Sequence, residues 1–95
     1  MKLYWIKYQP KGTNGKFVLV MPLGVENGKL CCIDADSLNT NEKTFLRSKA
    51  SDLDDLALAD KIAVIKRMEP NIARHFKTIK IENFVVANEY SIEPP

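Results

Sequence analysis

Ninety-five residues with 45% hydrophobic and 27% charged side chains match a single globular domain. The aliphatic content excludes a disordered chain, and a net charge of +2 is low for a dedicated DNA-binding domain. No apolar run approaches the roughly 20 residues of a membrane span. The N-terminus, MKLYWIKYQPKG, interleaves lysines with aromatics and lacks the apolar stretch of a signal peptide. A cytoplasmic protein without membrane contact is therefore expected.

Residues 2–9, KLYWIKYQ, are rich in aromatics and predict a strand. Asn14-Gly15 within residues 11–15 supplies the left-handed conformations of a tight hairpin turn. Residues 16–23, KFVLVMPL, predict a second strand, with Pro22 at an edge or at the strand's end because it donates no hydrogen bond. Glu26-Asn27-Gly28 reads as the next turn. Residues 29–35, KLCCIDA, predict a third strand whose continuous apolar stretch suits burial on both faces. Residues 36–43 read as a polar loop, and residues 44–48, TFLRS, as a short fourth strand.

Ser51, with Asp54 three residues later, loosely matches a capping box. Leu58, Ile62 and Ile65 recur at helical spacing. One longer helix is expected over about 52–68, its acids in the first turns and Lys66-Arg67 in the last, as the helix dipole favours. Pro70 suits the first turn of a short helix over about 70–77. A final strand is expected over about 78–87, with a bulge or a change of burial near Asn83, where Phe84-Val85-Val86 breaks the alternation. Residues 91–95 read as a frayed tail. The expectation is α+β: an antiparallel β-meander or small SH3-like barrel whose interior is closed by the Leu58–Ile65 stripe.

Chemistry-bearing motifs are scarce. Cys31 and Cys32 are adjacent, which opposes both a mutual disulfide and a metal pair, and two small core residues in a reducing compartment is the plainer reading. His75 is the single histidine and has no partner by motif. Asp34 and Asp36 share a face if the third strand reaches them, yet two carboxylates are too few for a metal cage. No phosphate-cradling glycine loop and no nucleophile elbow is present. No catalytic residue, metal or cofactor is expected. The basic residues are more suggestive: Arg67, Arg74, Lys77 and Lys80 cluster around the second helix, and Tyr4, Trp5 and Tyr8 lie beside Lys2 and Lys7. Lysines that track phosphates beside aromatics that stack bases are the equipment for single strands or nucleotides. A strand buried on at least one face needs the same aromatics.

The succession "WIKYQPKG", "VLVMPLG", "GKLCCIDAD", "KTFLRSKASDL", over residues 5–53, resembles the WYL domains, small Sm/SH3-like barrels of bacterial regulators. Leu30-Cys31-Cys32 or Cys31-Cys32-Ile33 stands in place of the family's Trp-Tyr-Leu triplet, and the family's basic residue before the Phe is matched only by Lys43, two positions before Phe45. The resemblance implies a nucleotide-type or single-stranded ligand, with Tyr8, Lys43, Phe45 and Arg47 as ligand positions. The functional expectation is a non-enzymatic binding or regulatory module contacting nucleic acid or a nucleotide. The alternative is a protein-interaction or inhibitor module, with homodimerisation as its simplest form, using an edge at Pro22 or an apolar patch around Trp5. A small enzyme would require Cys31, His75 and Asp34 to converge.

Overall fold

A computed structural model describes residues 3–10 and 16–86, with residues 83–86 as backbone alone. The expected turn at 11–15 and the expected tail at 91–95 lie outside the described residues. The fold is α+β. Strands β1 (Ile6–Pro10), β2 (Val18–Glu26) and β3 (Lys29–Asp34) form an antiparallel meander. Helices α1 (Thr40–Asp54), α2 (Leu58–Met68) and α3 (Pro70–Ala73) follow. The chain then re-enters the sheet as β4 (Phe76–Lys80) and ends in β5 (Phe84–Val86).

Asn27 and Gly28 join β2 to β3 with φ of 53° and 72°. Both values lie in the left-handed region, so this is a two-residue hairpin turn of the kind Asn-Gly favours.

The sheet order is β4-β3-β2-β1-β5. β4 and β5 are therefore opposite edges, yet only Ile81–Asn83, a 3₁₀ turn, separates them in the chain. From Lys80 to Phe84 the backbone reaches at most about 14 Å. Four strand spacings of a flat sheet span about 19 Å. The sheet is thus strongly curled, with its edges drawn toward each other. The SH3-like barrel is not closed, because no ladder joins β4 to β5 among the described residues. The broken alternation near Asn83 marks the switch from one edge strand to the other.

Each face of the curled sheet carries its own core. On the convex face Leu3, Trp5, Met21, Leu23 and Ile33 pack with Leu46 of α1, Leu53 of α1, Ile65 of α2 and Ile72 of α3. On the concave face Ile6, Tyr8, Val20, Leu30 and Cys32 pack with Tyr4, Val18 and Ile79. Alternation along β2 and β3 delivers Val20 and Cys32 to one side and Met21 and Ile33 to the other. The Leu58–Ile65 stripe closes the convex side, with Leu58 and Ile62 against the core and Ile65 fully buried within it.

Five expectations need correction. Residues 44–48 are the middle of α1 and not a strand, and most of the expected 36–43 loop is a 3₁₀ turn (Ala35–Ser37) and the first turn of α1. The capping box that starts α1 is Asn39 with Glu42: each side chain accepts the other's backbone N–H at 2.9 Å. The expected helix over 52–68 is two helices broken at 55–57, so Asp52 and Asp54 lie in the last turn of α1, with Asp55 as its cap, and only Asp60 in the first turn of α2. Asp54 has a different task, accepting the Leu3 N–H at 2.6 Å and tying the start of the chain to α1. Pro22 lies buried inside the central strand β2. It is tolerated there because pairing to β1 extends only to Val20 and because the β2–β3 register shifts between Pro22 and Gly24. The short helix is also shorter than expected, since the chain is already extended at Phe76.

Candidate functional site

The β2–β3 bulge decides where α2 can sit. An added Cβ on Gly24 would lie 3.1 Å from Leu58 Cβ, so the glycine lets the start of α2 rest directly on the central strand. The buried Lys61, one turn on, donates its ammonium to the Leu23 carbonyl at 3.1 Å. Helix α2 is thereby pinned over β2, and the outer strands β3 and β4 are left partly open beneath its side.

That opening is a cleft of about 220 Å³, lined by Leu23, Cys31, Ile62, Lys66, Phe76 and Thr78, with Cys32 and Lys77 of the same two strands also contributing to its wall. Cross-strand register explains the set. Thr78 stands opposite Cys31 and Phe76 opposite Ile33, so all four side chains share the convex face. The next position along the same face pairs Lys29 with Lys80. Like charges directly opposite each other in a ladder are unfavourable. Glu26 stands on the other side of Lys29 in this row, yet Lys29, Lys66 and Lys80 form no salt bridge among the described residues. All three are exposed. The site is an apolar floor with a thiol and a hydroxyl, bordered by three cations without an ion-pair partner among the described residues. Burial, and secondarily Glu26, pushes the Cys31 thiol up from its ordinary value, so it rests as the neutral thiol.

On the concave face, Lys77 donates to Asp34 at 3.1 Å. Asp34 also accepts the Asp36 N–H at 3.3 Å, capping the 3₁₀ turn that follows β3. The hydrogen bond to Asp34 raises the Lys77 ammonium above its ordinary value. Burial raises the Tyr8 phenol and pushes the Cys32 thiol up to about 11, with the Lys77 charge opposing both. Tyr8, Cys32, Asp34 and Lys77 form one satisfied electrostatic group whose visible work is structural.

The residues singled out from sequence scatter. Tyr8 feels the charge of Lys77, and Lys77 also contributes to the wall of the cleft. Lys43 and Arg47 are exposed one turn apart on α1, and Phe45 of that helix packs toward the convex core. Arg67 and Arg74 are exposed and do not line the cleft, whereas Lys80 flanks it. Trp5 and Tyr8 are 7% and 5% exposed, so neither is a stacking surface, and Pro22 is equally unavailable as a contact edge. Asp34 N–H donates to the His75 carbonyl, which places His75 three positions before Thr78, the residue opposite Cys31. Three strand residues span about 10 Å, and ladder parity puts the two side chains on opposite faces. The structure does not bring Cys31 and His75 together. Lys29, Cys31, Lys66 and Thr78 were not recognised together from sequence, since only the register shows that they are neighbours.

Compared with protein-family models, curated proteins and solved structures, the chain matches none.

Proposed function

We propose that this chain is a non-catalytic module that binds an acidic segment of a partner protein at the cleft between α2 and β3–β4. The observation that carries the reading is the cleft's composition: an apolar floor of Leu23, Ile62 and Phe76 bordered by Lys66, Lys80 and Lys29, which have no ion-pair partner among the described residues. Exposed cations set beside apolar surface favour a ligand that is both anionic and partly apolar, and complementary charge speeds and orients its docking. An oligonucleotide is the rival ligand, because phosphates would satisfy the same lysines. The rival is weakened by the burial of Trp5 and Tyr8, which removes the bases' stacking surface.

Two-dimensional amide NMR of the labelled chain, titrated separately with a glutamate-rich peptide and with oligothymidylate, tests the reading. The expected result is salt-sensitive shifts at Cys31, Lys66, Thr78 and Lys80 with the peptide. Shifts confined to another surface, or a response to the oligonucleotide alone, would overturn it.

A further inference from the structure

Ladder parity fixes which backbone groups of β4 face outward. Asp34 N–H donates to the His75 carbonyl at 2.8 Å, and Ile81 N–H donates to the Gly28 carbonyl at 3.0 Å. Residue pairs 34/75 and 28/81 are therefore hydrogen-bonded pairs of the antiparallel β3–β4 ladder. Alternation assigns 32/77 and 30/79 to the same class and 33/76, 31/78 and 29/80 to the other. Lys77 and Ile79 consequently turn their backbone groups toward β3. Phe76, Thr78 and Lys80 turn theirs to the open edge, where no strand pairs with them among the described residues.

The side chains of these same three residues lie on the convex face, along the cleft and beside Lys29. An edge with unpaired N–H and C=O groups is a template for another strand. Here the template, the apolar cleft and the lysines are contiguous. We propose that β4 receives an extended acidic segment of a partner protein as a sixth strand. Phe76, Thr78 and Lys80 would supply the main-chain hydrogen bonds, Lys66 and Lys80 would meet its carboxylates, and the cleft would take an apolar side chain. This rests on the cleft being the partner-binding site and adds the mode of binding. A second copy is the poorer occupant, because joining two β4 edges gathers Lys77 and Lys80 of both chains with no acid on either edge strand.

The test is fluorescence anisotropy with the labelled peptide Thr-Glu-Thr-Val-Thr-Glu-Thr, whose two Glu and one Val share one face when extended, and with an analogue N-methylated at every central residue. The unmodified peptide is expected to bind the wild-type chain, and the N-methylated one to lose about tenfold or more in affinity through lost main-chain hydrogen bonds. Thr78→Pro is expected to weaken binding similarly, since the Thr78 N–H faces the open edge and proline there spares the β3–β4 ladder. Lys80→Glu should weaken the peptide and favour its lysine-substituted counterpart. Should Thr78→Pro fail to fold by circular dichroism, the two peptides on wild-type protein still decide the question. Equal binding of both peptides would overturn strand addition while leaving the cleft as a partner site. No binding even at low salt would overturn both. Self-association with amide shifts at Thr78 would replace the acidic partner with a second copy.

Discussion

The Lys61 ammonium donates to the Leu23 carbonyl oxygen at 3.1 Å across the α2–β2 interface, and both groups are buried. The need for this contact comes from the bulge, which leaves Leu23 outside the β2–β3 register. A buried carbonyl without a donor is costly, and the lysine stem packs well while its head reaches the oxygen.

Lys61→Met keeps most of the stem's packing and removes the donor. Burying an ammonium is itself unfavourable, which offsets part of the loss. Pro22 and Gly24 hold the bulge in place, so the orphaned carbonyl cannot rejoin the ladder. The net expectation is a destabilisation of about 1–2 kcal/mol, read as a lower denaturation midpoint in guanidinium with an unchanged slope. An unchanged midpoint would show that the carbonyl finds water.

Gly24 and Gly28 are expected to fail for different reasons. Gly24→Ala places a methyl 3.1 Å from Leu58 Cβ, an atom fixed to the helix backbone, so α2 must shift. Gly28→Ala meets nothing within 4 Å, but its φ of 72° strains any residue with a Cβ. Each alanine is expected to cost about 1–2 kcal/mol in urea denaturation. Asn tolerates the left-handed region, so Gly28→Asn should recover much of the loss, whereas Gly24→Asn should be worse than Gly24→Ala.

Four groups have values raised in the fold: Tyr8, Cys31, Cys32 and Lys77. A raised value means the folded protein holds its proton more tightly than the unfolded chain. Stability from these groups is complete below their unfolded values and is lost as pH rises through the folded ones. Cys32, at about 11 against an ordinary 9.0, makes the window between roughly pH 9 and 11 the informative one. Urea midpoints should fall across it, with Cys32 contributing about 2–3 kcal/mol. Cys32→Ala should lower stability at pH 8 by its cavity and flatten the alkaline decline. A decline of the same steepness in the variant would remove Cys32 as its main source.

The strands were legible where local chemistry is decisive. Asn27-Gly28 marks a hairpin, the apolar run of β3 reflects burial between two cores, and Leu58, Ile62 and Ile65 show the inner side of α2. Helix α1 was hidden because Thr44-Phe45-Leu46 has strand-like composition. Its actual stripe, Phe45, Leu46, Ala50 and Leu53, is interrupted by Lys49 and by the buried Glu42. The α1–α2 break carries no Gly or Pro, and three of the acids read as the first turns of one helix belong to the end of another. The cleft was not legible, because Cys31 and Thr78, or Lys29 and Lys80, become neighbours only through a pairing formed across more than forty residues. Aromatic and basic residues adjacent in sequence suggested a binding face on β1, whereas alternation sends Trp5 to one core and Tyr8 to the other.

The two possible capping boxes give a sharp comparison, since only one starts a helix. Asn39 accepts the Glu42 N–H, and Glu42 returns the favour to the Asn39 N–H, leaving two otherwise orphaned donors satisfied. Ser51 lies inside the last turns of α1, exposed, with its backbone already in the helical ladder. Asn39→Ala is therefore expected to cost about 1 kcal/mol and Glu42→Ala a comparable amount. Ser51→Ala should be neutral or slightly stabilising, because alanine is the better helix former at an exposed interior position. The Asn39→Ala/Glu42→Ala double variant should lose less than the sum of the singles, since the two side chains complete one motif. Thermal melts of the four variants check this set. A Ser51→Ala loss as large as that of Asn39→Ala would mean that the helix begins at Ser51, and the continuous α1 from Thr40 would have to be abandoned.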